Sequence, residues 1–105
     1  MKELANHFIV EFINNHELDK KCDNSNIFWY EIISNPDYRI KIVDSIIIES
    51  KDFHKNIEHL WLQENPISNY ADYYFNRNNY INLFKKVLER QLIRIAKVFL
   101  SNGDK

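Results

Sequence analysis

The sequence predicts an all-α fold: a compact single-domain bundle of five or six helices, ending in a long amphipathic C-terminal helix. Three observations carry that prediction. Apolar residues recur at spacings of three and four along most of the 105-residue chain. Glycine occurs once, at Gly103, and proline twice, at Pro36 and Pro66, so the turn residues on which multi-hairpin β folds depend are scarce. Hydrophobic residues make up 45% and charged residues 28%, the usage of a chain that buries a core.

Residues 3–16 read as the first helix. Leu4, Ala5, Phe8, Ile9, Phe12 and Ile13 share one face, and Glu3, His7, Glu11 and Asn14 the other. The stretch 17–26 is charged, Asn-rich and aperiodic, a loop with Asp23, Asn24 or Ser25 available to cap the helix that follows. A short aromatic helix over 26–34 carries Phe28, Trp29, Tyr30, Ile32 and Ile33. Asn35-Pro36 ends it, because the residue before proline is pushed out of the α region, and Pro36 can open the next helix.

Residues 37–63 admit two readings. Ile40, Val43, Ile47, Phe53, Ile57, Leu60 and Trp61 fit a helical period, with a break at Ser50 or Asp52. The β-branched run from Arg39 to Glu49 also suits a hairpin turning at Asp44-Ser45, which would make the fold α+β. No glycine or asparagine stands at that turn, and this favours helix. After Asn65-Pro66, residues 68–76 give a short tyrosine-rich helix. The last helix runs over 77–101, about 37 Å long, with Gly103 placed to cap it. A long final helix after a short aromatic one is similar in outline to the ligand-binding half of TetR-type regulators. No motif matches, so no residue role is carried across.

The net charge is −1, which argues against a protein that binds nucleic acid by bulk charge. The distribution is lopsided. Residues 77–101 hold six cations (Arg77, Lys85, Lys86, Arg90, Arg94 and Lys97) and one anion, Glu89, whereas residues 1–76 hold seven cations and thirteen anions. Asn, Ile, Lys, Tyr and Phe account for 52 residues and Gly, Ala, Arg and Pro for ten. That bias is the mark of A/T-rich coding, as in low-GC bacteria and mobile elements. Met1-Lys2-Glu3-Leu4 lacks the apolar core of a signal peptide, and no stretch has the length of a membrane span. With Cys22 as the sole cysteine, a reduced, cytoplasmic setting is expected.

Catalytic, cofactor and metal sites are not expected. A single glycine rules out a glycine-rich phosphate loop. Cys22, beside Lys20 and Lys21, has no histidine within sequence reach, and the serines lie in no nucleophile motif. Glu3, His7 and Glu11 stand at i, i+4 and i+8, as do His54 and Glu58 at i and i+4, but no HExxH pair accompanies them.

Two surface features remain. On the wheel of the last helix, Ile81, Phe84, Leu88, Gln91, Leu92, Ile95 and Phe99 face one way, and Lys86, Arg90, Arg94 and Lys97 nearly the opposite way, with Ile93 and Leu100 beside them. Such a cationic row suits an acidic protein or a phosphate backbone, and is also what a solvated helix face near a C-terminus looks like. Upstream, Tyr70, Tyr73, Tyr74, Phe75 and Tyr80 alternate with asparagines, with Arg77 and Lys85 nearby. Tyrosines serve interfaces and base stacking, although Tyr73 and Tyr80 could instead close the core with their hydroxyls in water.

The expected function is a small interaction protein that binds and occludes a partner. Immunity proteins, antitoxins, and phage or mobile-element inhibitors of a host or defence enzyme work in this way. The contact set would be Tyr70, Tyr73, Tyr74, Arg77, Lys86, Arg90, Arg94 and Lys97. If the target is a nuclease, Asp37, Asp44, Glu49, Asp52 and Glu58 could mimic phosphates. The alternatives are a nucleic-acid-binding module using the basic face, or a homodimer that hides Ile42, Ile46 and Ile48.

Overall fold

Ala5, Phe8, Ile9, Phe12 and Ile13 are all buried, so the first helix turns one continuous apolar stripe inward. The computed structural model describes residues 1–20 and 22–103; Lys21, which the sequence places beside Cys22, lies outside them. Among the described residues there are five helices and no strand: α1 (Lys2–Asn15), α2 (Asp23–Ser34), α3 (Pro36–Glu49), α4 (Phe53–Glu64) and α5 (Tyr70–Gly103).

Backbone chemistry sets most of the boundaries. α1 stops in a Schellman turn. The Leu18 N–H donates to the Ile13 carbonyl at 3.0 Å and the Glu17 N–H to the Asn14 carbonyl at 3.4 Å, with Glu17 left-handed at φ 54°. The cap of α2 is Cys22, not Asp23, Asn24 or Ser25, which fall inside the helix. Asn35 alone separates α2 from α3; its side chain accepts from the Tyr38 N–H at 3.2 Å, and Pro36 occupies the first turn.

The β-branched run is therefore helix, not hairpin. Val43 and Ile46 face the core at helical spacing, and a capped, proline-led start outweighs the intrinsic preference of isoleucine for strands. The chain breaks between α3 and α4 at Asp52, which is left-handed at φ 55°. Phe53, Ile57 and Trp61 then bury one side of α4.

The short helix over 68–76 and the long helix over 77–101 form one element. α5 is a single 34-residue helix about 51 Å long, matching the 50 Å long axis of the molecule, whose other extents are 22 and 20 Å. It begins with a reciprocal cap: the Asp72 N–H donates to Asn69 Oδ1 and the Asn69 N–H to Asp72 Oδ2, each at 3.1 Å. Gly103 belongs to α5, and no described glycine has a positive φ, so it is not the left-handed cap that the sequence suggests. With the short aromatic helix absorbed, the outline similar to TetR-type regulators is gone.

α5 is the spine against which the other four helices pack. Three aromatic stations mark their contact. Trp61 of α4 meets Tyr73 at a ring distance of 5.8 Å. In the middle, Phe8, Phe53 and Phe84 meet pairwise at 5.7 to 5.9 Å. Toward the C-terminal end, Trp29 stacks on Phe99 at 4.8 Å and 6°, while its indole N–H donates to the Leu18 carbonyl at 3.0 Å. With one side of α5 committed to these layers, the opposite side is left to solvent.

Candidate functional site: the outer face of helix α5

The inward side of α5 matches the periodicity of its sequence. Phe84, Leu88, Gln91 and Leu92 are buried, and Ile81, Ile95 and Phe99 pack partly against the core. Lys86, Arg90, Arg94 and Lys97 are exposed on the far side. Spaced by four, four and three residues, they form a row about 16 Å long, rising about 6 Å from one cation to the next. Among the described residues none of the four lies within ion-pair distance of a carboxylate.

The other cations of this region behave differently. Lys85 Nζ lies 3.3 Å from Asp44 of α3, so this cation near the tyrosines is held in a pair within the fold. Glu89, the single anion of the segment, accepts from Arg39 Nε at 2.8 Å. Arg39 also donates to the Ile32 and Ile33 carbonyls at 3.0 and 3.4 Å, satisfying the end of α2. The Arg39–Glu89 bridge escaped the sequence reading; the lone anion in a basic stretch was its only signal.

The tyrosine cluster divides. Tyr73 is 3% exposed and Tyr80 is also buried, so both close the core and Tyr73 offers no face to a partner. Their hydroxyls differ in surroundings. Tyr80 donates to Glu64 Oε2 at 2.9 Å, and the Tyr73 oxygen is buried with no hydrogen-bond partner. Burial, then the bond to Glu64, raises the Tyr80 ionisation well above its ordinary value. Burial does the same for Tyr73, partly offset by the Arg77 charge.

Tyr70, Tyr74 and Phe75 remain outside, Phe75 at 89% exposure. Tyr70 donates to the Tyr74 hydroxyl at 3.4 Å, and that bond chiefly pushes its ionisation up to about 12. The Arg77 guanidinium sits over the Tyr74 ring, 5.3 Å from its centre. Phe75 lies on the same side of the wheel as Lys86 and Lys97, as does the half-exposed Leu83. Ile93 and Leu100, expected to stand exposed beside the row, are partly buried, and Leu100 packs on the core.

The remaining candidates do not assemble into a site. Of the five acids considered as phosphate mimics, Asp44 is paired with Lys85, and Glu49 accepts from His16 at 2.7 and 3.0 Å. Ile46 is fully in the core and Ile42 partly so, which leaves only Ile48, 82% exposed, of the proposed dimer set. His7 lies 3.1 Å from Glu11, and among the described residues no three His, Cys, Asp or Glu side chains gather to hold a metal. Cys22 is exposed, with its thiol held below its ordinary ionisation chiefly by Ser25, 3.3 Å away. No described helix is long and apolar enough to cross a membrane. No family model, curated protein or solved structure matches the chain.

Proposed function

We propose that this is a non-catalytic, cytoplasmic binding protein that docks an acidic protein partner along the outer face of α5 and occludes it. Inhibitors of toxins, nucleases or defence enzymes act in this manner. One observation carries the reading: Lys86, Arg90, Arg94 and Lys97 are exposed in a single row, while their neighbours Lys85 and Arg39 are spent on pairs within the fold. Among the described residues the four charges of the row have no partner in the fold, and like charges at i, i+4 cost a helix a few tenths of a kcal/mol. Such a row on a rigid helix steers a partner and fixes its register. Exposed Phe75, Tyr70 and Tyr74 extend the same element with aromatic area of the kind that anchors interfaces.

The test is affinity capture from the source cell with the native chain and with a variant carrying Lys86→Ala, Arg90→Ala, Arg94→Ala and Lys97→Ala. A partner held by the native chain and lost by an equally stable variant supports the reading. Retention of that partner by the variant makes the row a solvated face. Recovery of nucleic acid in its place moves the function to the alternative class.

A further inference from the structure

Beside the cationic row runs a groove between α3 and α5, of about 220 Å³, lined by Ile40, Val43, Asp44, Lys85, Lys86 and Glu89. Its volume is below the roughly 300–1,000 Å³ of small-molecule sites and suits one or two aliphatic side chains. Ile40 stands on its rim at 52% exposure, and Val43 closes its floor. The two carboxylates in its wall are already neutralised, Asp44 by Lys85 and Glu89 by Arg39. Lys86 belongs to both the groove and the row.

A slot with Ile40 and Val43 inside it, charge pairs in its wall and, on one side, cations with no carboxylate partner among the described residues defines its complement. We propose that the groove seats an acidic amphipathic helix of the partner, with its apolar side on Ile40 and Val43 and its carboxylates against Lys86, Arg90, Arg94 and Lys97. The inference rests on the reading of the α5 face given above and adds the seat and the chemistry of what fills it. Helix-in-groove docking sets apolar anchors of one helix face into the slot, and this one has room for a pair at i and i+3 or i+4. A row of about 16 Å spans about three turns of such a helix. A phosphate backbone fits less well, because it has no apolar side to set on Ile40 and Val43.

The probe is a synthetic helix of about 18 residues, long enough to hold helical structure, with leucines on one face and glutamates beside them. A scrambled peptide of the same composition and a single-stranded oligothymidine serve as controls. Fluorescence anisotropy gives affinity, and amide chemical shifts give the seat. The expected result is binding at least about tenfold tighter for the amphipathic peptide than for the scrambled one, with shifts at Ile40, Asp44, Lys86 and Ile93. Ile40→Asp, at a half-exposed position, should remove that preference, and Lys86→Glu should weaken both peptides. Equal affinity for the two peptides, or indifference to Ile40→Asp, overturns the groove while leaving the charge row intact. Binding of the oligonucleotide alone, or of no probe, overturns the groove and counts against an acidic protein partner as well.

Discussion

Tyr73 and Tyr80 stand two turns apart on α5 and face the same core, yet their hydroxyls have opposite fates. Tyr80 donates to Glu64, and the Tyr73 oxygen has no partner. A buried polar group without a bond carries its desolvation cost uncompensated. Tyr73→Phe should therefore raise stability by about 1 kcal/mol, and Tyr80→Phe should lower it by about 1 kcal/mol, both read from urea unfolding. The same residues set the alkaline limit. Tyr38, Tyr73 and Tyr80 ionise above the ordinary value of 10 in the fold, chiefly because they are buried. Their contribution is complete below pH 10 and disappears as the pH rises toward the folded values, because the unfolded chain loses those protons first. Urea midpoints should hold up to about pH 9 and fall by about pH 11, and Tyr73→Phe combined with Tyr80→Phe should flatten that fall.

At the scale of elements, the apolar period located α1, the inward face of α5 and the break near Asp52, because burial on one face leaves its spacing in the sequence. What the sequence did not disclose depends on contacts between distant residues. Val43 and Ile46 turn a β-branched run into helix only because α3 has a capped start and a core to face. Residues 68–76 and 77–101 read as two helices, but Tyr73, Tyr80 and Phe84 carry one stripe straight through the join. Within the site, the cationic row was legible from the helical wheel. The groove was not, since it needs Ile40 and Lys86 from elements 46 positions apart. Continuity of α5 is itself testable. Asn78 is exposed in the middle of the helix, and Asn78→Pro should cost about 3 kcal/mol by removing one helical hydrogen bond and clashing with the preceding turn. A real junction there would accept proline with little loss in a thermal melt.

Across the whole molecule, a long rigid spine has four helices on one side and a strip of charge on the other. Packing accounts for the first side; among the described residues the row Lys86, Arg90, Arg94 and Lys97 has no carboxylate near enough to pair with it. The proposed function requires that division of labour between the two sides of α5. The measurement that tests it most directly is the dissociation constant of the captured partner for the native chain and for the fourfold alanine variant, taken alongside the thermal midpoint of each. A loss of at least about 100-fold in affinity at about 50 mM salt is expected, with a midpoint that does not fall, and the difference in affinity narrows as salt screens the row. Equal affinity for the two proteins, or a midpoint that falls in step with the affinity, would contradict it.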